Sequence, residues 1–207
     1  MGENLAGRGS ALVARQRRQV KAETVHLRRR ARDPLARRRP LPTSTPSPWD
    51  LPQTQFPGMV PAGPLLAGRS DRAAVAITSM AAYSNGFEFA VTRLVRPGTP
   101  GWDEEPVTAQ SRFEVALRLS DGREVSAGRP PVGTGPAGPF LRMNGGGGSS
   151  HYNQTRWWAW PLPPPGTLEF MCQWPAMGIS DARVSIDAGL ILDAARHSVQ
   201  IWPESQG

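Results

Sequence analysis

The side chains that could act as nucleophile, base or orienting acid are few in this sequence and lie far apart along it. The cysteine is Cys172, and the histidines are His26, His151 and His197. A thiol becomes a nucleophile when a histidine beside it, oriented by a carboxylate, takes its proton. A triad of Cys172, either of the last two histidines and Asp181 can be written, but nothing in the local sequence brings these residues together. Cys172 falls on the apolar side of an alternating segment, where a free cysteine is typically a small buried residue, so we predict no catalytic residue.

Metal and phosphate sites have equally little support. The sequence contains no HExxH, no CxxC and no pair of histidines at metal-ligand spacing, so we predict no metal site. Residues 145–150 read GGGGSS, and backbone amides free of side chains can hold a phosphate. A P-loop, however, requires a lysine and a following helix, whereas this segment has no lysine and leads into an extended stretch. We interpret it as a flexible loop between strands and predict no cofactor.

Aromatic side chains cluster in residues 151–160, which read HYNQTRWWAW. If this segment is extended, alternation places Tyr152, Trp158 and Trp160 on one face and Trp157 on the other. Exposed aromatic rings can stack on a sugar or a nucleobase. One hypothesis is therefore a carbohydrate- or small-ligand-binding surface built on an outward Trp157. The neighbouring polar residues that would join it are His151, Asn153 and Thr155. The alternative is that the tryptophans fill a core and that Trp157 packs under a loop.

The basic charge is confined to the first part of the chain. The net charge of +7 divides into +8 for residues 1–58, with 12 Lys and Arg against 4 Asp and Glu, and −1 for residues 59–207, with 12 Arg against 13 Asp and Glu. The first part contains the arginine runs Arg28, Arg29, Arg30 and Arg37, Arg38, Arg39. Such runs could contact nucleic-acid phosphates without sequence preference. A ratio of 23 Arg to 1 Lys is also what GC-rich coding DNA produces, so a genuine start at Met59 is the competing hypothesis.

Composition predicts a disordered leader followed by one domain. Residues 1–68 are Arg-rich and then proline-rich, and such a segment cannot bury enough apolar surface to offset the entropy of ordering. Residues 69–207 are predicted to form a single β-sandwich domain. A lone cysteine excludes an intrachain disulfide framework. There is no apolar run of 18 residues, so we predict no membrane segment and a cytoplasmic location.

Alternating apolar residues predict a first hairpin just after this boundary. The alternating segments 73–83 and 87–95 flank Ser84-Asn85-Gly86. Asn-Gly between alternating segments is a strong hairpin indicator because a type I′ turn requires positive φ at both positions. Val75, Ile77, Ala81 and Tyr83 are predicted to share one face.

The rest of the domain repeats this pattern of short strands and turns. A second hairpin is predicted from Arg112–Leu119, the turn at residues 120–123 and a return strand near Val125. A third is predicted from residues 151–160 and 168–174, joined by PLPPPG at 161–166. A strand at 183–186, a short helix or turn at 190–196 and a final strand at 199–202 follow. The predicted fold is all-β, an antiparallel two-sheet sandwich, and an immunoglobulin-like strand order is one arrangement that the pattern allows.

The aromatic–PLPPPG–aromatic segment also carries a resemblance. Residues 156–175 (RWWAWPLPPPGTLEFMCQWP), with Gly178-Ile179 and Leu192-Asp193-Ala194-Ala195, resemble a pattern found in an uncharacterised protein family of GC-rich actinobacteria. The resemblance covers about the last 130 residues. It implies no activity, cofactor or site.

These observations favour a non-enzymatic interaction or assembly protein with a protein partner. The sequence contains a full set of strand and turn patterns, but no group of catalytic residues that the pattern brings together. The two alternatives are the ligand-binding module at Trp157 and nonspecific nucleic-acid association through the arginine-rich leader.

Overall fold

The computed structural model describes residues 47–100, 113–128 and 136–202. The strands are β1 (Gln55–Phe56), β2 (Gly58–Met59), β3 (Leu65–Arg69), β4 (Ala73–Ala82), β5 (Phe87–Val95), β6 (Glu114–Arg118), β7 (Glu124–Ser126), β8 (Phe140–Gly148), β9 (Tyr152–Trp160), β10 (Thr167–Trp174), β11 (Ile179–Asp187) and β12 (Val199–Gln200). A 3-10 helix spans Pro175–Met177, and helix α1 spans Gly189–Arg196. The arginine runs at 28–30 and 37–39 lie outside the described residues, so the nucleic-acid hypothesis stays a prediction.

The strands form two main antiparallel sheets, which confirms the predicted fold class. The larger sheet has the order β2-β4-β5-β9-β8, with β3 also paired to β4, and the smaller sheet has the order β11-β10-β6-β7. A separate two-stranded ribbon pairs β1 with β12. The rings of Phe89 in the larger sheet and Phe170 in the smaller one lie 4.9 Å apart, centroid to centroid. One continuous hydrophobic core therefore lies between the two sheets.

Alternation predicted the core faces of most strands correctly. Val115, Leu117 and Leu119 are buried on the second predicted hairpin, which forms as β6 and β7. Every second residue of β10, from Leu168 to Trp174, is also buried. In β4 the prediction holds only for the first half, because the register with β5 shifts between Ile77 and Ser79. Such a bulge moves the following residues to the other face.

Because of this bulge, the prediction that Ala81 and Tyr83 share the buried face of the first hairpin is wrong. Met80 and Ala82 are buried, whereas Ala81 and Tyr83 are only partly buried. The hairpin itself forms as predicted. Its turn, however, is not built on positive φ, because neither Asn85 nor Gly86 has one. The Asn85 amide instead donates hydrogen bonds to the carbonyl oxygens of Pro48 at 2.7 Å and Asp50 at 2.9 Å.

The predicted hairpin of the two tryptophan-rich strands is wrong. β9 pairs with β5 and β8 in the larger sheet, whereas β10 pairs with β6 and β11 in the smaller one. Residues 161–166 therefore cross from one sheet to the other. Ser120 donates a hydrogen bond to the carbonyl oxygen of Pro165 at 2.7 Å, and Ala188 donates one to Gly166 at 2.8 Å. These bonds fix the crossing against neighbouring loops.

The glycine-rich segment is part of a strand rather than a loop. Gly145–Gly148 belong to β8 and pair with β9 from Arg156 to Asn153. A Cβ on Gly148 would lie 2.1 Å from the carbonyl oxygen of Tyr152. Glycine is needed here because the two backbones approach closely, and the segment is extended along β9 rather than curved around a phosphate.

Strands already form before the predicted domain boundary at residue 69. Residues 47–68 include β1, β2 and β3. The indole nitrogens of Trp158 and Trp160 donate to the carbonyl oxygens of Trp49 at 3.0 Å and Pro48 at 3.1 Å. The proline-rich composition of this segment suggested disorder, but its carbonyl oxygens accept hydrogen bonds from two indoles, and one of these belongs to the fully buried Trp158.

Candidate functional site

The β1–β12 ribbon presents large apolar side chains to solvent. Phe56 lies directly opposite Val199 in the register, and the two residues are 67% and 56% exposed. Ile201 extends the pairing by donating a backbone hydrogen bond to Thr54 at 2.8 Å. Trp202, the next residue, is 63% exposed. We use the name ribbon face for the set of exposed apolar residues Phe56, Val199, Ile201 and Trp202. Alternation places the first three on one side of the ribbon, and Trp202 follows after β12 has ended.

Polar residues of the ribbon attach it to the domain. The Gln55 amide nitrogen donates to the Ser84 hydroxyl at 2.8 Å, and its amide oxygen accepts from the Ser84 backbone at 3.2 Å. Successive side chains of a strand point to opposite sides. With Gln55 directed to the domain, Phe56 is therefore directed away from it.

Helix α1 positions the other strand of the ribbon. Its residues Ile191, Ala194 and Ala195 are buried against the core. Ser198 then ends the helix by donating a hydrogen bond from its hydroxyl to the carbonyl oxygen of Ala195 at 2.8 Å. The ribbon face is therefore held at both strands, even though each strand has only two residues.

The ribbon carries no charged residue. Residues 54–56 read TQF and residues 199–202 read VQIW. The outer face of the smaller sheet, by contrast, carries many charged side chains. There Arg118 pairs with Glu169 at 2.9 Å and with Glu124 at 2.6 Å, and Arg183 pairs with Asp181 at 2.7 Å. The exposed side chains of that face are therefore largely ion-paired, whereas those of the ribbon are apolar or uncharged.

The prediction that Trp157 faces solvent is wrong. Trp157 is 8% exposed and belongs to the core cluster. It lies opposite Phe89, whose ring faces the smaller sheet. Its indole nitrogen donates to the Thr155 hydroxyl at 3.0 Å. Trp158 and Trp160 lie on the outer face of the larger sheet, under residues 47–50.

Trp157 and Trp158 point to opposite faces of β9, and both are buried. Alternation therefore could not show which of the two would be exposed. Trp157 is covered by the facing sheet, whereas Trp158 is covered by Trp49 and by Tyr83, whose ring lies 5.7 Å away. Trp49 precedes Trp158 by 109 residues in the chain. The pattern of β9 shows two faces, but it does not show which one meets the other sheet.

The remaining residues of the predicted ligand site lie around a partly buried arginine. Asn153 accepts a hydrogen bond from Arg93 at 2.5 Å, and the Arg93 guanidinium carbon lies 4.6 Å from the ring centre of Phe113. Burial lowers the pKa of Arg93. His151 lies near the same end of the sandwich and shares a 3.0 Å hydrogen bond with Ser150. The structure therefore brings His151 and Asn153 to Arg93, not to an exposed indole.

Sequence reasoning missed Arg93, although the pattern contained an indication. In β5, Phe87, Phe89 and Val91 are alternate residues that point into the core. The next residue on that side is Arg93. A charge in an apolar phase indicates either the end of the core or a functional residue. Here the guanidinium closes the end of the core against Phe113 and Trp174.

The hypothetical triad residues do not form a nucleophilic site. Cys172 is 1% exposed, and burial raises the pKa of its thiol to about 12. Asp181 binds Arg183, and His197 hydrogen-bonds to the carbonyl oxygen of Asp193 at 2.8 Å. Within residues 47–100, 113–128 and 136–202, no three Asp, Glu, His or Cys side chains are grouped as metal ligands would be.

Comparison with known proteins adds no relative from which function could be carried over. Neither protein-family models, nor curated proteins, nor solved structures contain a match to this chain. The actinobacterial resemblance therefore stays a prediction. No helix in the described part of the chain is long and apolar enough to cross a membrane.

Proposed function

We propose that this chain is a non-enzymatic β-sandwich of the interaction or assembly class, and that it associates with a second copy of itself through the ribbon face. The observation that carries this proposal is the exposure of Phe56, Val199 and Trp202 on one small, firmly attached ribbon. Interface centres are enriched in aromatic residues and depleted of charge. The ribbon face has both properties.

A second copy is the occupant that the charge pattern favours. In a two-fold interface the same patch meets itself, so a charge that lies at the two-fold axis faces a like charge. The ribbon residues 54–56 and 199–202 are uncharged, so they meet their own copies without repulsion. The ion-paired face around Arg118 and Arg183 offers little apolar surface to bury in such a contact.

Sedimentation velocity of the full chain over a series of concentrations tests this proposal. The monomer has a mass of 22.4 kDa, and we expect a second species of twice that mass to grow with concentration. Replacing Phe56 and Trp202 with serine should abolish that species. The matched control replaces Leu66 and Met143 with serine. These residues are also more than half exposed but lie on other strands, and their replacement should leave the dimer unchanged.

Three results would overturn the proposal. One is a monomer at every concentration, and another is equal loss of the dimer in both double variants. The third is enzyme-like turnover of a panel of ester, phosphate or glycoside substrates, which would refute the non-enzymatic part. A thermal melt of each variant confirms that folding is retained before association is compared.

A further inference from the structure

The ends of four strands meet at one end of the larger sheet, on its outer face. Arg69 of β3 pairs with Ala74 of β4, which pairs with Leu94 of β5, which pairs with Tyr152 of β9. Directly paired residues of an antiparallel sheet point to the same side. A row of side chains therefore crosses the sheet with a long cation at one end, a small alanine inside it and two large apolar groups beyond.

Three members of this row, Arg69, Ala74 and Leu94, line a cleft of about 760 Å³. Small-molecule sites in proteins have volumes of about 300–1,000 Å³, so the cleft is of the right size. Ala74 leaves the space open between Arg69 and Leu94. Two further arginines, Arg72 and Arg96, line the cleft together with His151 and the acidic residue Asp71.

The arginines of the cleft differ from the arginines elsewhere on the described surface. Six arginines form ion pairs with carboxylates: Arg118, Arg123, Arg142, Arg156, Arg183 and Arg196. Among the described residues, Arg69, Arg72 and Arg96 have no carboxylate within 4.0 Å, and Arg96 reaches only the carbonyl oxygen of Asp71, at 3.4 Å. The cleft therefore gathers positive charge that the protein itself does not neutralise.

The backbone that carries these arginines is fixed by hydrogen bonds. The Ser70 hydroxyl accepts from the backbone of Arg72 and of Ala73, each at 3.1 Å, and donates to the carbonyl oxygen of Met177 at 2.6 Å. Arg96 donates its backbone N–H to the carbonyl oxygen of Arg72 at 2.7 Å, so the two arginines start from adjacent positions. Because the backbone is fixed, the entropy lost when a ligand binds is mainly that of the arginine side chains.

We propose that this cleft binds a small organic phosphate. The guanidinium groups of Arg69 and Arg96 hold the phosphate oxygens, because planar guanidinium groups bind phosphate through paired hydrogen bonds. The apolar body of the ligand lies across Ala74 against Leu94, which is 48% exposed. This inference does not depend on the ribbon face, because it uses another surface and another chemistry.

Calorimetric titration of the full chain with adenosine 5′-monophosphate, adenosine and inorganic phosphate tests the proposal. We expect the monophosphate to bind, adenosine to bind at least about tenfold more weakly, and inorganic phosphate to compete, since one charge-assisted contact corresponds to about a tenfold change in affinity. Replacing Arg69 and Arg96 with glutamine should weaken monophosphate binding by more than tenfold on the same scale. The arginine-rich residues 1–46 are common to all variants, so binding there does not change between them.

Two variants separate the cleft from general charge effects. Replacing Arg123 and Arg196 with glutamine removes the same charge from exposed ion pairs elsewhere and should leave affinity unchanged. Ala74→Leu keeps every charge but fills the space between Arg69 and Leu94. It should weaken binding of the monophosphate more than binding of inorganic phosphate. If the Arg69 and Arg96 double variant fails to fold, Arg69→Gln alone carries the comparison.

Four results would overturn the proposal. They are no saturable binding of the monophosphate, equal affinity for adenosine, equal weakening by the control pair, and no effect of Ala74→Leu. None of them bears on dimerisation through the ribbon face.

Discussion

Replacing Gly86 with alanine should destabilise the domain, because the added methyl group has no space. An ideal Cβ at this position would lie 2.5 Å from the carbonyl oxygen of Ala159 and 2.7 Å from two ring carbons of Trp158, whereas ordinary contact begins at 3.4 Å. Ala159 is paired on both sides, with Phe87 and Leu141, and Trp158 is fully buried. Because neither neighbour can easily move by almost 1 Å, we expect a loss of about 2–3 kcal/mol in the free energy of unfolding, the upper part of the range for overpacking.

Urea denaturation measures this change, and two other glycines serve as controls. A Cβ on Gly147 meets nothing within 4 Å, so Gly147→Ala should change the free energy of unfolding by less than about 0.5 kcal/mol. A Cβ on Gly122 is equally free, but its φ is +85°, so Gly122→Ala should cost about 1–2 kcal/mol through backbone strain alone. The order Gly86, Gly122, Gly147 in decreasing cost is the expected result.

This series separates two explanations of the Asn-Gly turn. If close approach requires glycine, Gly86→Ala is the most destabilising of the three. A change at Gly86 no larger than that at Gly147, with an unchanged denaturant slope, would refute the steric reasoning. It would mean that β5 and β9 adjust more easily than their pairing suggests.

Three further predictions concern the core, the early segment and the leader. Since the folded-state pKa of the Cys172 thiol is raised from its ordinary 9.0 to about 12, the thiol contributes stability below about pH 9 that is lost as the pH rises toward 12. The free energy of unfolding should therefore fall more steeply with pH in this range for the wild-type chain than for Cys172→Ala, by at most about 1.4 kcal/mol per pH unit, and parallel pH profiles would contradict it. A chain of residues 59–207 should be less stable than one of residues 47–207 by at least about 2 kcal/mol, because the buried Trp158 ring becomes exposed to water and both indoles lose a hydrogen-bond acceptor; equal melting temperatures would show that these contacts contribute nothing. Duplex DNA should bind residues 1–207 with steep salt dependence and residues 47–207 hardly at all, and retained binding by the shorter chain would remove the arginine runs from the explanation.

Local rules were sufficient for the existence and inner faces of most strands. Leu117 and Phe170 lie inside as alternation predicted, and the hairpin turn at residues 120–123 forms with Gly122 at positive φ. Helix α1 lies where a short helix or turn was predicted, and β11 contains the predicted strand at 183–186 but begins four residues earlier. These features depend on neighbours within a few residues, so a single sequence contains the information.

Distant parts of the chain decided the rest. β9 and β10 follow one another, yet they belong to different sheets, because each forms its ladder with strands far from it in sequence. Trp157 and Trp158 are both buried, but the layer that covers each one comes from another region. The arginine cleft likewise joins residues from 69 to 151. Alternation shows that a strand has two faces and leaves open which element will cover each, because burial depends on contacts that form only when the whole chain has packed.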